Sequence, residues 1–361
     1  MKKIITIDAR MINDSGIGTY LKNIIPYFIT NFNVILLGDK RKLLAFENEK
    51  KNNIINFTAK IYSLKEQLLY PIIIPKCDIF WSPHFNAPVL SIKAKKTITT
   101  IHDVNHLSFK GDLSYFKKKY ARFLYLNALR KSKEIITVSN FSRSEIIRLL
   151  KPKDLLINVI YCGVSKYFFE NKDNTIGFLL PEKYILFVGN VKPHKNLITL
   201  LEAYIKLPKN IKDTYKLLIL GKKDGFITSD KNVFKFIEKN NLLNNVIFTG
   251  FVDDKLLPLI YRKATVFVFP SLYEGFGLPI LESMASKTTV LSSNYASLPE
   301  VGLDCAIYFN PKDSFELKEK IVEILNNKSL RELYIEKAYI HSKNFSWENS
   351  AEKHIDLFKR V

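Results

Sequence analysis

The chain has 361 residues, 47% of them apolar, which is too long for one ordinary domain, enough to bury two cores, and incompatible with a disordered polymer. Cys77, Cys162 and Cys305 stand far apart with no CxxC or Cys/His cluster, which excludes a disulfide framework and a structural zinc site and fits a reducing compartment. The net charge is +20, and residues 1–165 hold 27 Lys and Arg against 12 Asp and Glu, while residues 166–361 hold 28 against 23. A basic first half points to an anionic partner, whether phospholipid, nucleic acid or a phosphorylated substrate; solubility and the Lys/Asn/Ile bias of an AT-rich genome are the plainer reading.

The chain opens on a predicted strand at 4–8, whose apolar run is broken by Asp8 and Arg10 and so is no signal peptide. No stretch reaches ~20 uninterrupted apolar residues, so a cytoplasmic or peripheral location is expected, with no spanning segment. Ser15-Gly-Ile-Gly-Thr-Tyr then leads into a helix predicted over 19–30. Gly16 and Gly18 there make either a tight turn or a helix start that a diphosphate or acceptor can approach. Strands follow at 33–37 and 79–82. Between them Leu68-Leu-Tyr-Pro-Ile-Ile-Ile-Pro is an apolar segment for the core, with a membrane contact as its second reading.

The strand predicted at 97–102 closes on His102, which a strand's carboxyl end would turn toward a cleft; Asp103 either orients it or caps the next segment. The helix predicted over 115–131 interleaves aromatics with Lys117, Lys118, Lys119, Arg122, Arg130 and Lys131, a pattern that suits an anionic lipid surface or an ordinary basic outer face. A strand at 134–139 ends at Ser139, an N-cap candidate for a helix over 143–150, and another strand follows at 158–161.

A polar, irregular stretch then precedes a fresh buried strand at 184–188. We therefore divide the chain into a first domain at 1–165, a linker at 166–182, a second domain at 183–344 and a terminal helical segment at 345–361. The second domain shows strands at 216–220, 246–249, 265–269 and 289–292, with helices at 197–206, 279–286 and 314–326. Alternating strands and helices imply doubly wound α/β domains with parallel sheets.

Phe187-Val-Gly-Asn-Val-Lys-Pro-His-Lys-Asn-Leu follows the first strand of that domain. Cations in such a loop, Lys192 and Lys195, can neutralise a diphosphate, while His194 reads as a surface or packing residue. Gly250-Phe-Val-Asp-Asp places Asp253 and Asp254 before a short helix, where they serve as caps better than as metal ligands. The sharpest signal is Phe267-Val-Phe-Pro-Ser-Leu-Tyr-Glu-Gly-Phe-Gly-Leu-Pro-Ile-Leu-Glu-Ser-Met-Ala: a buried strand, a glycine-loosened loop, then a helix with proline near its first position. Glu274 and Glu282 beside an anion cradle are electrostatically odd unless each accepts hydrogen bonds from a diol.

Glu274 and Glu282 match the Glu-x7-Glu signature of retaining GT-B glycosyltransferases, and EGFGLPILESMAS resembles the GT4 group, nearly the whole chain sharing the likeness. The resemblance implies two facing Rossmann-like domains with a C-terminal helix crossing back to the first. It implies that Glu274 contacts the transferred sugar and Glu282 the nucleotide ribose, with amides around Phe276, Gly277 and Leu278 on the diphosphate. Lys195 takes the family's phosphate-binding lysine; Asn190 stands where the family has arginine, and Lys192 is its natural replacement. Phe251 and Val252 fall beside the nucleobase, the loop of Gly16 and Gly18 approaches diphosphate or acceptor, and His102 lies near the donor sugar.

A nucleotide-diphosphate sugar is then the donor substrate, with no metal and no other cofactor. VGNVKPHKN and GIGTY resemble bacterial mannosyltransferases of surface polysaccharide assembly, which puts GDP-mannose ahead of UDP-hexoses, with a lipid-linked or polysaccharide acceptor and an anionic membrane surface as partners. The alternatives are a sugar-nucleotide epimerase or phosphorylase of the same architecture, the latter without a lysine context for pyridoxal phosphate, and a nucleic-acid-binding protein, for which no RRM, KH, zinc-finger or helix-turn-helix signature is present.

Overall fold

The computed structural model describes residues 2–47, 53–108, 114–153, 155–171, 179–221 and 230–361. The chain divides into two compact units, one made of Met1–Gly163 with Trp347–Val361, the other of Val164–Ser346.

The first unit carries seven strands: β1 (Ile4–Asp8), β2 (Asn33–Gly38), β3 (Ile54–Asn56), β4 (Cys77–Ser82), β5 (Ala94–Thr100), β6 (Glu134–Thr137) and β7 (Ile157–Val159). All pair in parallel, in the order β3-β2-β1-β4-β5-β6-β7. Their short, nearly continuous apolar runs suit strands covered on both faces, as parallel sheets require. Winding reverses between β1 and β4, which makes the carboxyl ends of those strands the place where such a sheet takes a ligand.

The terminal helix, Trp347–Arg360, is part of this unit's core. Phe358 meets Phe28 edge-on at 4.9 Å and Trp81 at 5.3 Å, and Ala351, Ile355 and Leu357 are buried with it. Arg360 adds an ion pair to Glu134 at 2.9 Å.

The second unit has six parallel strands: β8 (Tyr184–Val188), β9 (Lys216–Leu220), β10 (Val246–Gly250), β11 (Val266–Phe269), β12 (Val290–Ser293) and β13 (Ile307–Phe309). Their order is β10-β9-β8-β11-β12-β13, with the reversal between β8 and β11. Phe187, Leu200, Tyr204, Leu217, Ile219, Val268, Leu317 and Ile321 fill the core. Both sheets have the doubly wound, Rossmann-like arrangement expected from the strand–helix alternation.

Several boundaries move. The expected linker at 166–182 is in part built into the second unit: Lys166–Phe169 forms a 3-10 turn, Phe168 is buried against Tyr261 at 6.2 Å, and Arg262 donates to the Glu170 carbonyl. Residues 172–178 of that linker lie outside the described residues. Helices Leu64–Ile73, Lys231–Lys239 and Lys328–Ser342, and the three-residue strands β3 and β13, were not predicted. The strand expected to end at His102 stops at Thr100, so His102 stands in the loop beyond it.

Candidate active site

In the second unit the two strands flanking the reversal deliver two loops to the sheet's carboxyl edge. The loop after β8 carries Asn190, Lys192 and Lys195, all partly buried, and the loop after β11 carries Glu274, Phe276 and Gly277 before the helix Leu278–Ala285. Gly277 has φ +114°, and a Cβ there would lie 2.8 Å from Leu298 Cδ2, so both conformation and space demand glycine. Pro279 sits in the first turn, where no N–H is needed. Ile280 N–H donates to the Gly277 carbonyl at 3.0 Å, and a helix start of this kind favours an anion.

The loops are fixed to each other. Leu272 N–H donates to the His194 carbonyl at 2.8 Å, and Asn196 Nδ2 donates to the carbonyls of Pro270 at 3.0 Å and Pro311 at 2.7 Å. Ser297 Oγ lies 3.0 Å from the Glu274 carbonyl and 2.7 Å from that of Phe276, holding the loop from behind. His194 thus serves through its backbone.

Lys195 Nζ meets Glu274 Oε1 at 2.6 Å, both side chains mostly buried, and also lies 5.2 Å from the Phe269 ring centre. Glu282, one turn into the helix, accepts from the Tyr261 hydroxyl at 3.1 Å. Burial pushes its carboxyl up to about 7; the Tyr261 hydrogen bond and Lys195 oppose this, and Asp254 adds to it. Phe251 is 75% exposed just past β10, next to partly buried Val252. Asp253 accepts from Lys255 N–H at 2.9 Å, so its carboxylate serves as a cap. Among the described residues no group of three or more His, Cys, Asp or Glu side chains converges on a metal-sized site.

In the first unit His102 is held by Nε2–H donating to the Pro83 carbonyl at 3.0 Å and by the Tyr20 ring edge-on at 4.9 Å. Burial lowers its pKa, so the neutral imidazole is favoured. Asp103 accepts from Asn105 N–H at 2.8 Å and caps the following turn; among the described contacts it does not orient His102. Ser139 accepts from Ser142 N–H at 2.9 Å, the capping role its position suggested. The helix expected from 19 begins at Ser15, so Gly16 and Gly18 lie inside its first turn. A Cβ on Gly18 would sit 2.6 Å from the Ile12 carbonyl oxygen, whereas Gly16 faces open space.

One group went unseen in the sequence. Arg10 Nη2 lies 2.5 Å from both Asp8 Oδ2 and Glu66 Oε1, with the Tyr70 hydroxyl at 2.5 Å, at the carboxyl end of β1. Asn86 donates to Glu66 Oε2 at 2.6 Å, and His84 stands 3.0 Å from the Tyr62 hydroxyl. Burial raises the Glu66 pKa and drives that of His84 well down. The one local signal was Asp8-x-Arg10 ending a strand; Glu66 lies 56 positions on, out of reach of any spacing rule.

Residues 15–166 match the family model described as Glycosyltransferase Family 4, and residues 168–341 that described as Glycosyl transferases group 1. The chain is 32% identical over 290 residues to O-antigen chain mannosyltransferase B of Escherichia coli, covering 78% of this chain and 74% of that one. It is 30% identical over 313 residues to the serotype-specific mannosyltransferase WbdA of the same species, covering 81% of this chain but 35% of WbdA, so it spans about a third of that protein. The structure of Anabaena HepE in complex with UDP and glucose has the same fold, with a TM-score of 0.77 over 100% of both chains at 17% identity.

Proposed function

The chain belongs to glycosyltransferase family 4, and on that footing we propose that it moves mannose from GDP-mannose, with retention, onto a lipid-linked or polysaccharide acceptor of a bacterial surface glycan. The observation that carries the reading is the Lys195–Glu274 pair beside the helix that opens at Leu278, at the carboxyl ends of β8 and β11. The names of its relatives in O-antigen assembly support the acceptor class and the sugar.

In this reading the amides around Phe276, Gly277 and Leu278 donate to the diphosphate, and Lys195 neutralises the charge that grows on it as the glycosidic bond breaks. Asn190 and Lys192 complete the phosphate contacts. Glu274 accepts from the sugar hydroxyls and holds the ring, Glu282 accepts from the ribose, and exposed Phe251 with Val252 packs on the base. Fixed cations and amides supply the electrostatic stabilisation, so no metal is assigned. His102 is assigned to the transfer step, and front-face attack aided by the departing phosphate fits better than a covalent glutamyl intermediate.

A thermal-shift screen against GDP-, UDP- and ADP-sugars tests the donor. A ligand at a hundred times its dissociation constant stabilises the fold by roughly 2.7 kcal/mol, enough to single out the right base. A UDP-hexose is the second reading, favoured by the UDP held in the Anabaena protein of the same fold. Stabilisation by UDP-sugars alone overturns the GDP assignment and leaves the reaction class standing.

A further inference from the structure

The helix Leu64–Ile73 buries Glu66, Gln67 and Tyr70 and leaves Leu64, Leu68 and Ile72 at 76%, 65% and 73% exposure. Those three are spaced i, i+4, i+8, so they form one continuous apolar stripe on a helix face left exposed among the described residues. Isolated exposed leucines need no explanation; three in register on a ten-residue helix do.

The stripe has a neighbour of complementary character. Tyr62, two residues before this helix, stacks on Phe85, and Phe85 stacks on Tyr125 of the helix Tyr115–Lys131 at 3.9 Å. Tyr120 of that helix donates to the Tyr62 carbonyl at 3.4 Å. The two helices therefore border the same part of the first unit. The second one shows Tyr115, Phe116 and Phe123 at 66%, 81% and 49% exposure, interleaved with exposed Lys117, Lys119 and Arg122, and it contains no acidic residue. Lys119 Nζ lies 4.6 Å above the Tyr115 ring, as expected where a cation and an aromatic share one polar–apolar boundary.

We propose that these two helix faces form one interface that seats the first unit on an anionic phospholipid bilayer, Leu64, Leu68, Ile72, Phe116 and Phe123 entering the acyl boundary and Lys117, Lys119 and Arg122 lying among the headgroups. An exposed aliphatic stripe in a unit that also exposes aromatics suits acyl chains. The exposed cations of the second helix, which holds no acidic residue, disfavour a cationic occupant and select a negatively charged one. A second copy of this chain would set like charges against each other there. The apolar segment at 68–75 is thereby divided: Tyr70 and Ile74 belong to the core, while Leu68 and Ile72 face outward.

Flotation of the intact protein with vesicles tests this without any sugar transfer, so its outcome is separate from that of the donor assignment. Binding is expected to vesicles containing phosphatidylglycerol, absent with phosphatidylcholine alone, and lost at 1 M salt, where screening acts beyond about 3 Å. The triple variant L64S/L68S/I72S and the triple variant K117E/K119E/R122E should each lower binding by about tenfold or more with an unchanged melting temperature. Because Trp81 and Trp347 are buried, Phe116→Trp supplies an exposed indole, whose fluorescence brominated acyl chains should quench. Equal binding to both vesicle types, binding within twofold of wild type in both triple variants, an unquenched Phe116→Trp, or a dimer dissolved by L64S/L68S/I72S would each overturn the proposal.

Discussion

Lys195 Nζ stands 2.6 Å from Glu274 Oε1, so the loops leaving β8 and β11 are joined by an ion pair between the two side chains assigned to phosphate and sugar. On the proposed reading, a diphosphate would compete with Glu274 for the same ammonium and free the carboxylate for the sugar hydroxyls. Each side chain therefore fixes the position of the other.

Glu274→Gln follows directly from this pairing. The amide keeps the shape but neither holds the sugar with a full charge nor competes for Lys195. Transfer is expected to fall by ~100-fold or more, as for other lost transition-state hydrogen bonds, while nucleotide affinity stays level or rises. Steady-state turnover with calorimetric nucleotide binding checks both, and activity above about a tenth of wild type would remove Glu274 from the reaction.

Lys195→Ala leaves Glu274 as an unpaired carboxylate facing the diphosphate. Donor affinity and turnover should both drop, turnover more, because the lost cation acts most strongly on the leaving-group charge. EDTA should leave the wild-type rate unchanged. Full inhibition by EDTA reversed by manganese would overturn the assignment of leaving-group stabilisation to Lys195 and the amides, and would return Asp253 and Asp254 to consideration as ligands.

Glu282 titrates near 7 in the folded protein against an ordinary value of 4.5. The fold thus retains a proton that the unfolded chain gives up, and the stability from this group is full below pH 4.5 and is lost as the pH rises through 7. The loss is roughly 3 kcal/mol. Glu282→Gln removes it, so the variant's melting temperature should gain on wild type between pH 5 and 8, while its nucleotide affinity falls about tenfold from the weaker acceptor. Parallel melting curves across that range would show that Glu282 ionises like an exposed carboxylate.

The loop between β11 and the helix Leu278–Ala285 was legible in the sequence because strand end, glycines, proline and helix all lie within 267–285, where local rules suffice. Lys195 was named from its own loop, yet its partner lies 79 positions away, and no spacing links the two. The Arg10 cluster was hidden for the same reason. The helix Leu64–Ile73 was missed because Pro71 and the unbroken apolar run at 68–74 erase the 3.6-residue contrast between faces. Burial of Tyr70 beside exposed Leu68 and Ile72 is decided by tertiary packing alone. Strands β3 and β13 have three residues each, too few to show a period.

The C-terminal helix is locked by a hydrogen-bond chain that runs from Trp81 through Thr100 and Tyr20 to His354. Trp81 Nε1–H donates to Thr100 Oγ1 at 3.0 Å, and Thr100 lies 3.3 Å from the Tyr20 hydroxyl. His354 Nδ1–H donates to the Ser350 carbonyl at 2.7 Å, so Nε2 must accept from the Tyr20 hydroxyl at 2.5 Å. A second proton on His354 would place a charge in a fully buried site. Burial accordingly pushes its pKa down to about 4 from 6.5. In this case the unfolded chain takes up a proton that the fold refuses, so stability from this group is full above pH 6.5 and is lost as the pH falls through 4. The loss again amounts to roughly 3 kcal/mol. His354→Gln should therefore melt lower than wild type at pH 7.5, where it has only lost a good hydrogen bond, yet converge on it by pH 4.5. Proton NMR of the His354 ring reads its titration directly, and titration near 6.5 in the folded wild type would dismantle the argument.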